Sequence, residues 1–67
     1  MTKKYEFNNG KITVEFWRSY EDYGIKWNEW TVTVHDECSF GMVTPDDQDL
    51  NQEGEIRFYL NEHGYEV

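Results

Sequence analysis

Apolar and polar residues alternate with a period of two through the first half of the chain, the pattern of strands that bury one face. In Lys3–Phe7, Tyr5 and Phe7 fall on one side and Lys4 and Glu6 on the other. Asn8-Asn9-Gly10 follows, and Asn-Gly is the strongest short hairpin signal because both residues tolerate positive φ. Lys11–Ser19 alternates again, with Ile12, Val14 and Phe16 on one face and Thr13, Glu15 and Trp17 on the other. This pattern predicts a β-hairpin.

Tyr20–Gly24 reads as a polar, aromatic loop, and Ile25–Asp36 as a long third strand rich in Trp, Thr and Val. Ile25 and Trp27 share one parity, whereas Trp30, Val32 and Val34 share the other. A one-residue slip swaps faces, so a bulge near Asn28-Glu29 is expected. Glu37–Gly41 reads as a turn, and Met42-Val43-Thr44 as a short extended segment. Thr44-Pro45-Asp46-Asp47 has the form of a helix start, with Thr as N-cap, Pro in the first position and acids in the first turn. Pro45–Gln52 holds only Leu50 as an apolar residue and reads as a short helix or an acidic loop.

Glu55–Asn61 fits two patterns. As a strand, Ile56, Phe58 and Leu60 point inward while Glu55, Arg57 and Tyr59 point outward. As a helix, Ile56, Tyr59, Leu60 and His63 form a stripe, with Gly64 as C-cap. The three alternations and the Phe-Tyr pair favour the strand. Tyr65 and Val67 are expected against the core. The fold class is therefore mainly β, a small antiparallel sheet forming a β-meander of three to four strands, or α+β with one short helix within 45–63.

At 67 residues the chain reads as one small acidic domain, 1–67, with marginal capacity to bury a core. Cys38 is the only cysteine, which excludes an intrachain disulfide and fits a reducing compartment. The compensation is aromatic: three Trp, five Tyr and four Phe, which a disordered acidic chain would lack. Phe7, Phe16, Trp30, Phe58 and Leu60 are expected in the core. Trp17, Tyr20, Tyr23, Trp27 and Tyr59 are expected outward or in loops, as candidate contact residues of the kind enriched at interfaces. No stretch has signal-peptide or membrane-spanning character, so a cytoplasmic location is expected.

Fourteen acids against six bases give a net charge of −8. Up to Lys26 the signs nearly balance. Beyond it stand ten acids and one base, Arg57, and no base interrupts the eight acids between Lys26 and Arg57. Such a field repels nucleic acid and anionic membrane and attracts cationic surfaces. Asp36, Glu37, Asp46, Asp47, Asp49, Glu53 and Glu55 are therefore the candidate acidic contacts.

Signatures of chemistry are weak. His35 and Cys38 lie three apart, but Asp36 and Glu37 between them deny the electropositive setting that activates a thiolate. Asp49, Asn51, Glu53 and Gly54 match the start of a calcium loop, yet Leu60 stands where the bidentate Glu belongs. His35, Cys38 and His63 do not have the paired spacing of a zinc site. Phosphate-binding glycine loops are absent. Neither an enzyme nor a cofactor or metal site is expected.

The expected function is non-enzymatic: an inhibitor that mimics nucleic acid, its carboxylates occupying phosphate positions on a basic nucleic-acid-binding protein. Two neighbouring elements would have to supply those carboxylates together, because same-face residues on one strand are spaced too widely. In size, acidity and mainly-β character the chain resembles, in general terms, the small inhibitors that phages and mobile elements deploy against host nucleases, anti-CRISPR and anti-restriction proteins among them. Those proteins share no common motif, and no residue here carries the resemblance. The alternatives are an acidic immunity protein for a basic toxin, a carbohydrate-binding module built on the exposed aromatics, and a structural subunit such as a homodimer paired through an edge strand.

Overall fold

Three tight turns with left-handed backbone fold the chain into a meander. At the first, Asn8, Asn9 and Gly10 have φ of 54°, 58° and 86°, and Lys11 N–H donates to Asn8 O at 3.2 Å. At the second, Tyr23 and Gly24 take φ of 52° and 75°, the two positive values that a type I′ hairpin requires. At the third, Asp36 has φ of 67° and Glu37 N–H donates to Val34 O at 3.0 Å. Asn, Asp and Gly tolerate this region; Tyr23 is the exception.

The computed structural model describes residues 3–46 and 51–67. The turns join β1 (Lys4–Phe7), β2 (Ile12–Asp22), β3 (Ile25–Val34) and β4 (Cys38–Pro45) into one antiparallel sheet with strand order β1-β2-β3-β4. Among the described residues one helix, α1 (Gln52–Glu62), follows. The fold is thus mainly β with one helix, an α+β arrangement.

One face of the sheet is covered. Phe7, Ile12, Val14, Trp30, Val32, Val34 and Met42 are buried there beneath Ile56 and Leu60 of α1. Tyr5 and Phe16 meet Trp30 edge-on, with ring centroids 5.7 and 5.5 Å away. Tyr59, Tyr65 and Val67 pack around this cluster, the last two as expected.

Several boundaries differ from expectation. The bulge is on β2, between Phe16 and Arg18, which leaves Trp17 as the extra residue. β3 needs none, because Asn28, Trp30, Val32 and Val34 are all buried on one parity and Ile25 lies exposed on the opposite face. β2 continues through Asp22, so the loop at Tyr20–Gly24 shrinks to two residues. β3 ends at Val34 rather than Asp36, and β4 begins at Cys38, where a turn to Gly41 was expected. Thr44 and Pro45 end β4 instead of starting a helix. The N-cap is Asn51, whose Oδ1 accepts from Gly54 N–H at 3.2 Å, with Glu53 and Glu55 in the positively polarised first turn.

The expected strand at Glu55–Asn61 is a helix. The sheet's apolar face needed a cover, and Ile56 and Leu60, one turn apart, supply it. Phe58, expected in the core, is therefore 49% exposed, and Tyr59 packs against the core instead. Gly64, with φ of 95°, follows the helix as the helical alternative required, and Tyr65 N–H donates back to Leu60 O at 3.0 Å.

Candidate partner-binding surface

α1 runs antiparallel to β4. At its start, Gln52 Nε2 donates to Pro45 O at 3.0 Å. Beyond its end, Tyr65 stacks on Phe40 with centroids 5.9 Å apart, and its Oη lies 3.3 Å from Cys38 Sγ. This arrangement sorts the candidate acids among the described residues into two groups, one at each end of β4.

Asp36 and Glu37 lie in the turn before β4. Glu37 and Glu66 both line a cleft of about 330 Å³, together with Asn8, Lys11 and Tyr65. The tail that carries Glu66 is fixed by Asn8 Nδ2 donating to Glu66 O at 2.8 Å. Its contact with Cys38 first, then desolvation and the nearby negative charge of Glu37, raise the Tyr65 phenol above its usual value of 10.0. Glu66 was not among the sequence candidates. Its proximity to Glu37 arises only because the glycine cap sends the tail back beside the turn.

Asp46, Glu53 and Glu55 belong to the other end. Asp46 Oδ2 is 3.7 Å from Lys26 Nζ, and Glu53 Oε2 is 3.9 Å from Arg57 Nη2. Lys26, Glu53 and Arg57 are exposed and Asp46 is partly so, and such surface pairs screen their carboxylates weakly. Asp47 and Asp49 lie outside the described residues. Among the described residues, Asp36, Glu37, Glu55 and Glu66 form no ion pair. The eight residues of β4, which carry no charge, separate the two groups by roughly 25 Å at about 3.4 Å per residue.

The aromatic candidates gather on the face of the sheet that α1 leaves open. The bulge leaves Trp17 60% exposed. The Arg18 guanidinium sits 4.6 Å from the Trp17 ring centroid and 5.5 Å from that of Tyr20, and its Nε is 3.2 Å from Glu29 Oε1. Tyr20 pairs across the ladder with Trp27. Tyr23 stands at the adjoining hairpin tip, 95% exposed. Tyr59 is turned away from this group, onto the core.

The remaining chemistry-bearing side chains are held apart. His35 Nε2 is 3.3 Å from Thr13 Oγ1, the His63 ring packs on Phe40 at 5.4 Å, and Cys38 contacts Tyr65. Among the described residues no three His, Cys, Asp or Glu side chains come together as a metal site. No helix among them is long and apolar enough to cross a membrane. Comparison with protein-family models, with curated proteins and with solved structures finds no match to this chain.

Proposed function

We propose that the chain is a non-enzymatic binding protein whose carboxylates occlude a cationic surface on a nucleic-acid-binding protein. The observation that carries this reading is the pair of acidic groups at the two ends of an uncharged strand, most of whose carboxylates have no ion-pair partner among the described residues. A nucleic-acid duplex carries one phosphate charge per about 1.7 Å of its axis, denser than same-face residues at about 6.6–7 Å along one strand can match. A turn and a tail converging on one cleft relieve that limit, as Glu37 and Glu66 do.

On this reading the protein acts in the cytoplasm as an inhibitor, with the aromatic group around Trp17 adding contact area that salt does not screen. The test is competition. A basic protein retained by immobilised chain should be released by duplex DNA and by rising salt, and its nucleic-acid-dependent activity should fall when the chain is added. Retention indifferent to both DNA and salt would refute the mimicry.

A second reading follows from Trp17, Tyr20 and Trp27 on the open face: stacking on sugar rings. Glycan binding that persists in high salt and is lost in Trp17→Ala would favour it over occlusion.

A further inference from the structure

We propose that the free edge of β4 accepts an extended, basic-flanked segment of the cationic partner as a fifth strand. The inference rests on the binding function above and specifies the contact.

The ladder phase shows which backbone groups are free. Asp46 N–H donates to Lys26 O at 2.8 Å, and the β3–β4 register runs unbroken from Trp27↔Pro45 to Val34↔Cys38. In an antiparallel pair, alternate residues bond toward the neighbour and away from it. Counting back from Asp46, residues Thr44, Met42, Phe40 and Cys38 face β3. Ser39, Gly41, Val43 and Pro45 therefore face outward. Pro45 has no N–H, and Gln52 Nε2 takes its carbonyl, which closes that end.

The amides and carbonyls of Ser39, Gly41 and Val43 remain, with no backbone hydrogen bond to a turn, loop or helix among the described residues. Ser39, Gly41 and Val43 are all exposed, and a Cβ built on Gly41 would meet nothing within 4 Å.

Edge strands are ordinarily kept from pairing by charge, shortness or bulges. β1, the opposite edge, has four residues and carries Lys4 and Glu6. β4 has eight residues, no charge and an unbroken register. The acids at its two ends select the occupant. Antiparallel pairing with a second copy would set Asp36 and Glu37 of each chain beside Asp46 of the other, opposing like charges twice. A partner segment with a neutral, β-prone centre and Lys or Arg at both ends meets complementary charge at each. Backbone pairing then supplies affinity and the flanking charges supply selection.

The test is an NMR titration of the free chain with two synthetic peptides, Lys-Lys-Thr-Val-Thr-Val-Thr-Lys-Lys and its counterpart with Glu in place of every Lys. The basic peptide should slow exchange of the Ser39, Gly41 and Val43 amides by about tenfold or more, and the acidic one should not. Gly41→Pro removes the central outward N–H at an edge position where proline is tolerated, and should abolish the response with the circular dichroism unchanged. An equal response to both peptides would overturn the proposal. So would perturbation confined to other amides, or a sedimenting dimer whose β4 amides are already protected. The wild-type amide pattern decides the matter even if Gly41→Pro fails to fold. If Gly41→Pro folds and still retains a DNA-displaceable basic protein as well as wild type does, the edge inference falls while the binding function stands.

Discussion

Trp30 Nε1 donates to Thr44 Oγ1 at 2.9 Å, and neither residue is exposed to solvent. The Thr44 hydroxyl in turn donates to Gln52 Oε1 at 3.1 Å, which also accepts from Asn28 Nδ2 at 3.3 Å. Gln52 is the first residue of α1, so this relay fixes the helix start to the sheet. No buried side-chain polar atom among the described residues lacks a partner.

Thr44→Val keeps the shape but removes both the acceptor of the buried indole and the donor to Gln52. It should cost about 1–3 kcal/mol in urea unfolding, with Thr44→Ser recovering most of the loss. Trp30→Ala, which empties the centre of the core, should cost about 3–5 kcal/mol and leave so small a domain largely unfolded by circular dichroism.

Asn51→Ala removes the side chain that caps α1 and should destabilise the fold by about 1 kcal/mol, read as a lower melting temperature. Asn51→Asp should be close to neutral, because a carboxylate caps as well and favours the positive end of the helix dipole.

Tyr23 places a bulky ring in left-handed backbone while making almost no contact of its own. Tyr23→Asn supplies the residue that type I′ turns prefer and should stabilise the isolated chain by about 0.5–1 kcal/mol. If Tyr23 contacts a partner, the same variant should bind more weakly despite melting higher.

The Tyr65 phenol is raised above 10.0 chiefly by its contact with Cys38. For an acid raised on folding, the favourable contribution is complete below the unfolded value and disappears as pH climbs through the folded one. Unfolding experiments should therefore show wild type losing stability relative to Tyr65→Phe only above about pH 10, and ultraviolet titration should show the variant lacking a high-pH phenolate step.

The meander was legible in the sequence because its turns are written in Asn, Asp and Gly and its strands in period-two alternation. Two inward polar residues obscured the rest. Asn28 sits at an inward position of β3, and its polarity made the strand look as though it changed faces there. Thr44 resembled a helix cap because the buried indole that needs its hydroxyl lies fourteen residues away. Glu55–Asn61 fitted strand and helix alike, and what decided it was a tertiary need, an uncovered apolar sheet face. The two acidic groups were visible as composition, but their division between the ends of β4 depends on α1 turning back along that strand. Glu66 joined the first group because the turn at Gly64 sends the tail back, where Asn8 donates to its carbonyl.

The most direct measurement compares wild type with an Asp36→Asn, Glu37→Gln, Glu66→Gln variant as bait in a cell lysate, eluting with rising salt and with duplex DNA. The variant should melt at or slightly above the wild-type temperature, since it relieves like-charge repulsion. The proposed function requires that wild type retain a basic nucleic-acid-binding protein, released by salt and displaced by DNA, and that the variant hold it several-fold less tightly. Equal retention by both baits, or retention that neither salt nor DNA disturbs, would contradict it.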